Sequence, residues 1–184
     1  MILKFKKLSP FAQFSLPANP GDAGYDLCVP TDIKKLVIPA FEYSRHQIDE
    51  HIDLTWTNKR LSEFYDGIAN KVIINTKIAL ELPEGYYAQI TEKSSVSGGK
   101  FNNKSGKWDM LGGIIVLAGT IDNGYRGAIN VCLLNVTPYD FILTGGQKIA
   151  QLVIHKLNVF DLVEINELGE TIRGESGFGS TGTH

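Results

Sequence analysis

Apolar residues in this chain come only in short runs, and nearly every run is closed by glycine, proline, asparagine or aspartate. The runs are rich in Val, Ile, Leu, Phe and Tyr, side chains that suit a pleated, half-buried surface. The pattern predicts many short strands joined by turns, and therefore an all-β fold. With 184 residues and 43% hydrophobic content the chain can bury a real core, and a single domain over 1–184 is expected. Eighteen Lys+Arg against twenty Asp+Glu leave a net charge of -2, so no basic excess exists to hold a phosphate backbone. Direct nucleic-acid binding is not expected. The opening Met1-Ile2-Leu3-Lys4-Phe5-Lys6-Lys7 is too short and too broken by lysine for a signal peptide, and no run reaches the length of a membrane span. The reading is an intracellular, cytoplasmic protein. Cys28 and Cys132, far apart and in apolar stretches, are expected to be buried, reduced thiols.

Three segments stand out from the strand pattern. Residues 112–121 and 126–136 are β-rich arms around Asp122-Asn123-Gly124-Tyr125, and Asn-Gly tolerates the positive φ angles of a type I′ turn, so a tight hairpin is predicted there. Strands are also predicted over 152–154 and 159–165. Between about 41 and 71 the chain is polar and mixed, with Leu61, Phe64, Tyr65 and Ile68 at the spacing of one helix face and Asn58 as N-cap; a short inserted helix is predicted. The end of the chain, 173–182, has glycine at 174, 177, 179 and 182, too much to hold a shape alone. It is either a frayed tail or an arm that orders on a ligand.

Several short runs hold groups suited to phosphate chemistry, each with a plainer reading beside it. The tail brings Arg173, Phe178, Ser180, Thr181 and many open backbone N–H groups, the parts of a phosphate cradle with a stacking lid. Asp122, beside a tight turn with Tyr125 at its base, could orient and deprotonate a water, although most aspartates before Asn-Gly only cap the turn. Lys93-Ser94-Ser95 offers a cation and two hydroxyls, as do many ordinary surfaces. Asp26 in Ala23-Gly24-Tyr25-Asp26-Leu27 could face a metal ion or its water shell, or simply satisfy nearby backbone. Gln151 in Gly146-Gln147-Lys148-Ile149-Ala150-Gln151-Leu152 could donate to a phosphate or pair with main chain.

Taken together and in this order, the five runs resemble the five motifs of the homotrimeric deoxyuridine triphosphatase (dUTPase) family, over residues 23–182. The run Gly119-Thr120-Ile121-Asp122-Asn123-Gly124-Tyr125-Arg126-Gly127 and the glycine-rich tail are the most specific. The resemblance implies a distorted jelly-roll or β-barrel subunit in a homotrimer whose active sites are shared between subunits and closed by a neighbour's tail. It implies Mg²⁺-assisted hydrolysis of dUTP to dUMP and pyrophosphate, which limits uracil in DNA and supplies dUMP for dTMP synthesis. By the same resemblance Asp122 activates the water that attacks the α-phosphorus, and Asp26 holds the metal through water. Thr120, Ile121 and Asn130 line the base pocket, and Tyr125 excludes ribose. Lys93, Ser94, Ser95 and Gln151 contact phosphates, Arg173 clamps the γ-phosphate, Phe178 stacks on uracil, and Gly179, Ser180 and Thr181 add donors.

The chain also departs from the family's pattern. Glu92-Lys93-Ser94 stands where Pro-Arg-Ser is usual, which keeps the charge but loses the planar fork of arginine. Gln147-Lys148 replaces an acidic residue and arginine at positions expected to be structural. Insertions at about 41–71 and 99–109 point toward a phage or other viral member, with the host cytoplasm as location in that case. The 41–71 insertion is a candidate site for a protein partner, and Trp56 and Phe64 within it and Trp108 in the smaller insertion are the aromatic contacts to test. A deoxycytidine triphosphate deaminase would share the fold but needs a glutamate near the pyrimidine, where this chain carries Asp122 and Tyr125. A regulatory protein that uses the nucleotide as a switch is the alternative from another class.

Overall fold

Alternation of side chains shapes the strands. In Asn130–Asn135 the residues Val131, Leu133 and Asn135 point inward while Asn130, Cys132 and Leu134 do not, the period-two pattern of a strand with one face on the core. A computed structural model describes residues 1–40, 70–102, 107–110 and 112–175, with the backbone path alone for 100–102 and 107–110. The predicted inserted helix, and the partner contacts Trp56 and Phe64, fall outside the described residues.

Fourteen strands and one helical turn run in the order β1 Lys4–Lys7, β2 Phe14–Ser15, β3 Gly24–Cys28, β4 Leu36–Ile38, β5 Lys71–Asn75, β6 Ile78–Glu81, β7 Tyr86–Glu92, α1 Ser94–Ser97, β8 Lys100–Asn102, β9 Lys107–Met110, β10 Ile114–Leu117, β11 Thr120–Ile121, β12 Asn130–Asn135, β13 Phe141–Leu143 and β14 Lys148–Lys156 among the described residues. Every pairing is antiparallel. The largest sheet has the order β11-β7-β14-β3-β2, and β10-β12-β5 forms a second. Smaller ladders join β1 to β6, β13 to β4 and β8 to β9. The last of these pairs the two described strands of the 99–109 segment in antiparallel register.

Leu27, Ile38, Ile78, Ile114, Ile129, Leu133, Leu143, Ile149 and Leu152 are fully buried in one cluster between the sheets. Each contributes on the order of 2 kcal/mol of hydrophobic stabilisation. Asn135, also fully buried, donates its amide hydrogens to the carbonyls of Ile38, Pro39 and Tyr139 and accepts from the Thr137 N–H and hydroxyl. It closes the chain around the β4 and β13 ends without an unsatisfied group.

Three sequence expectations need correction. The arms around Asn123-Gly124 do pair, β10 with β12 from Ile114↔Asn135 to Leu117↔Cys132, but no tight type I′ turn joins them. Ala118 adopts a left-handed φ of 53° and turns the chain out of the ladder, so that Thr120 and Ile121 pair with Gln89 and Ala88 of β7 instead. Neither Asn123 nor Gly124 is among the residues with positive φ, and the turn closes through the Tyr125 N–H donating to Asp122 O at 3.0 Å. Second, 159–165 forms no strand among the described residues; Val159, Phe160, Leu162 and Val163 are all largely exposed. Third, Cys28 is buried but Cys132 is only half-buried, because it lies on the outward side of β12; both thiols are free.

Candidate active site

The phosphate-suited residues gather on one face of the five-stranded sheet, and a bulge puts them there. Residues opposite each other in an antiparallel ladder share a face. Gln151 lies opposite Asp26 on β3 and Thr91 on β7, while Lys148 lies opposite Cys28, two residues from Asp26. In a regular strand Lys148 and Gln151, three apart, would point to opposite sides. The register shifts between Lys148 and Ala150, and the extra residue returns both side chains to the Asp26 face. It also explains why Ile149 and Ala150, neighbours in sequence, are both fully buried.

Asp26 is buried on this face and meets two ammonium groups. Lys148 Nζ lies 2.6 Å from Oδ2, and Lys93 Nζ donates to Oδ1 at 2.9 Å. Burial resists ionisation of Asp26, but the hydrogen bonds from Lys148 and Lys93, with their charges, outweigh it and hold the carboxyl below its ordinary range. The hydrogen bond and charge of Asp26 in turn raise Lys148. A β-carbon placed on Gly24 would lie 3.0 Å from Gln151 Cβ, so glycine at that position leaves room for the Gln151 side chain beside Asp26.

Lys93 follows the end of β7 as the N-cap of the helical turn α1, which puts Ser94 and Ser95 directly after it. Glu92 takes its place opposite Ala150, in phase with the core-facing Ala88 and Ile90, and is exposed at the strand end. Lys93 therefore spends its charge on Asp26 rather than on its acidic neighbour.

Thr120, Ile121, Asp122, Tyr125 and Asn130 belong to a second group. Thr120 and Ile121 pair with the middle of β7, Asp122 follows them into the turn, and Asn130 begins β12. Tyr125 is fixed: its hydroxyl donates to Ala128 O at 2.9 Å, and a β-carbon on Gly127 would lie 2.4 Å from that hydroxyl oxygen. Asp122 is exposed. From Ala88, opposite Ile121, to Lys93 is five residues along β7, about 16 Å at the rise of an extended strand. Within one chain the carboxylate at the turn and the two-lysine patch are thus separate half-sites.

Arg173 and Gly174 are exposed near the chain end, where the Gly174 N–H donates to Thr171 O and Oγ1, both at 3.1 Å. Phe178, Gly179, Ser180 and Thr181 lie outside the described residues. Sequence reasoning overlooked Lys148 as a member of the patch; its signal was the basic residue three before Gln151, hidden by the bulge. Among the described residues no three His, Cys, Asp or Glu side chains lie together as a metal site. The donor set fits a Mg²⁺ ion carried mainly by phosphate oxygens, with a single carboxylate reaching its water shell, rather than a protein cage.

Fold and half-sites together define an all-β protein of the distorted jelly-roll class, with a cationic patch and an acidic turn suited to a nucleoside polyphosphate. Comparison with known proteins makes this specific. Residues 62–182 match the sequence profile of the dUTPase family. The chain is 35% identical to deoxyuridine 5'-triphosphate nucleotidohydrolase of Arabidopsis thaliana over 97% of this chain and 82% of that protein. It is 33% identical to the Anaplasma marginale enzyme of that name over 99% of this chain and 100% of that one. An avian adenovirus 8 relative is 33% identical over 98% and 84%, so similar sequences are cellular and viral alike.

Among solved structures, the dUTPase of Staphylococcus bacteriophage 80alpha with dUpNHpp superimposes with a TM-score of 0.68 at 23% identity, covering 98% of each chain. A variant of the dUTPase from Staphylococcus aureus phage phi11, described with a structural Mg(II) ion, gives 0.62 at 21% over 91% of this chain and 98% of that one. This chain belongs to the dUTPase family. It is a dUTP diphosphatase, hydrolysing dUTP. No helix among the described residues is long and apolar enough to cross a membrane.

Proposed function

We propose that hydrolysis takes place in three sites of a homotrimer, each built from the acidic turn of one chain, the two-lysine patch of a second and the glycine-rich arm of a third. The observation that carries this reading is the separation of about 16 Å along β7 between the two halves within one chain. A general base must lie within hydrogen-bond reach of the water it deprotonates, so Asp122 and the patch cannot serve one phosphorus from the same chain. The exposed apolar side chains of Val159, Phe160, Leu162, Val163, Ile165, Leu168 and Ile172 further support association, since a lone soluble subunit rarely exposes such a run. The chain acts as one domain over 1–184, with insertions at 41–71 and 99–109 and an arm at 173–184.

In this site Asp122 takes a proton from water and directs it in line at the α-phosphorus, expelling pyrophosphate. Thr120, Ile121 and Asn130 face the uracil, and the fixed ring of Tyr125 fills the space a 2′-hydroxyl would need. Lys93, Ser94, Ser95 and Gln151 hold the phosphates. Arg173 and Phe178 of the arm close over γ-phosphate and base, with Gly179, Ser180 and Thr181 as further donors. Asp26 is the residue that would hold Mg²⁺, through water. When bound, the metal supplies charge neutralisation along the triphosphate. The phosphates compete with Asp26 for Lys93 and Lys148, so substrate entry loosens the carboxylate's grip on its two cations.

Complementation tests the shared site. Asp122→Asn and Lys93→Ala chains, each inactive as a pure oligomer, are co-expressed and assayed for pyrophosphate release from dUTP. Random mixing in a ring gives about a quarter of the sites an intact turn from one chain and an intact patch from another. Activity near that level is expected; co-assembled trimers that stay inactive would overturn the reading.

A further inference from the structure

The side chain of Asn123 ties the acidic turn to the turn that precedes β7. Asn123 Nδ2 donates to Pro83 O at 2.7 Å and to Tyr86 O at 2.9 Å, using both amide hydrogens on the 83–86 turn before β7. That turn is itself braced: the Tyr86 N–H donates to Pro83 O at 3.2 Å, and Gly85, with φ +76°, accepts from the Leu157 N–H at 2.7 Å. Leu157 is the first residue beyond β14, where the chain leaves the sheet toward the arm. On the other side of the anchor, Arg126 Nη1 donates to Asn123 O at 2.7 Å and Tyr125 O at 2.9 Å, and the Tyr125 N–H donates to Asp122 O.

We propose that Asn123 is a positioning residue for the reaction, fixing Asp122 and Tyr125 relative to β7 through the 83–86 turn. The proposal rests on the assignment of Asp122 as base and Tyr125 as the sugar-facing residue. Asp122 is exposed, so its aim depends on the backbone of the turn that carries it. A displacement of about 1 Å at the reacting group is enough to cost on the order of 100-fold in rate. Two donors on one planar amide hold the turn against both sliding and tilting, which a single bond would not. Asn123 touches neither water nor nucleotide in this scheme. It acts through the residues on either side of it.

The test is Asn123→Asp, which keeps the size of the side chain but cannot donate to the two carbonyls. Steady-state kinetics with dUTP and UTP are expected to show kcat on dUTP down about 10- to 100-fold with KM changed less than about threefold. The preference for dUTP over UTP should narrow, because the Tyr125 ring moves with the turn. Wild-type kcat and sugar preference, measured well below the melting temperature of the variant, would overturn the proposal; a lowered melting temperature alone marks a merely structural role. Asn123→Ala removes the donors without adding charge, and serves if the aspartate variant fails to fold. Asp122→Asn is measured in parallel. Turnover by Asp122→Asn sinks the assignment beneath the proposal and the proposal with it, whereas an inactive Asp122→Asn beside a normal Asn123→Asp sinks the proposal alone.

Discussion

Lys148 Nζ lies 2.6 Å from Asp26 Oδ2 because one extra residue in β14 turns Lys148 to the face that Asp26 occupies. Lys93 holds the other oxygen at 2.9 Å, so one buried carboxylate is shared by two cations of unequal depth. The Asp26 side chain is 6% exposed, Lys93 22% and Lys148 43%. Solvent screens the shallower pair more strongly, so Lys93→Met is expected to cost about 2 kcal/mol of stability and Lys148→Met about 1 kcal/mol. Replacing both strands a buried charge and should cost about 4–5 kcal/mol, more than the sum of the single changes. Urea unfolding of the metal-free, nucleotide-free protein at neutral pH measures the three values. Simple additivity would mean that the two lysines do not share the carboxylate, and equal single effects would mean that their difference in depth does not set their contributions.

The same carboxylate sets an acid limit on stability. Burial opposes its charge, yet Lys148 and Lys93 hold its pKa in the folded chain below the ordinary 3.8. Over the interval between the two values the unfolded chain binds more protons than the folded one. The stabilisation is therefore fully present above the unfolded value and is lost as pH falls through the folded value. Urea midpoints followed from pH 7 to pH 3 should fall at the acid end in the wild type. Asp26→Asn, starting lower at pH 7, should show a shallower fall over the same range.

How legible this was in the sequence varies along the chain. The all-β class followed from short β-branched runs between turn residues, but the core positions of β12 did not, because Val131-Cys132-Leu133-Leu134 is apolar on both faces and Asn135 is a buried amide. The shared face of Asp26, Lys93 and Gln151 was not legible as such, since their runs lie far apart in sequence and only the pairing of β14 with β3 and β7 brings them together. Lys148 was hidden because a bulge breaks the period-two count on which face assignments rest. The tight hairpin failed for a related reason. Asn-Gly favours a type I′ turn locally, but Ala118 leaves the ladder at φ 53° and β7 competes for Thr120 and Ile121, so the turn carries a loop instead. The expected strand at 159–165 pairs with no other strand among the described residues, because β-rich composition alone does not supply a partner edge.

Asp122→Asn separates chemistry from binding. The amide keeps the shape of the side chain and cannot take the proton from water, so turnover should fall by on the order of 100- to 10,000-fold. The turn itself is closed by backbone, through the Tyr125 N–H and Asp122 O, and should persist. Affinity for the imido analogue dUpNHpp, measured by calorimetry with Mg²⁺ present, is expected within about threefold of wild type, less than about 0.7 kcal/mol. A large loss of affinity together with turnover would make Asp122 a structural residue of the turn.

The run beyond β14 distinguishes assembly from closure. Leu162 is 99% exposed and Ile172 fully so, yet Arg173 and Gly174 follow immediately, the point at which the residues suited to phosphate begin. Burial of such exposed side chains on a neighbouring chain, as the proposed assembly requires, would contribute roughly 25 cal/mol per Å² removed from water. The sequence of the arm after them carries a single large apolar residue, Phe178, among glycine and hydroxyl residues suited to phosphate. Two truncations should therefore behave differently. Removal of 173–184 is expected to leave a trimer in sedimentation velocity with kcat/KM for dUTP lowered at least about tenfold, because γ-phosphate and base lose their closing contacts. Removal of 158–184 should abolish activity and shift the protein toward monomer at micromolar concentration, since the apolar run goes as well. If the longer truncation stays trimeric, the trimer is held by the barrel faces, with Ile73 and Ile115 of β5 and β10 the exposed apolar side chains to change next.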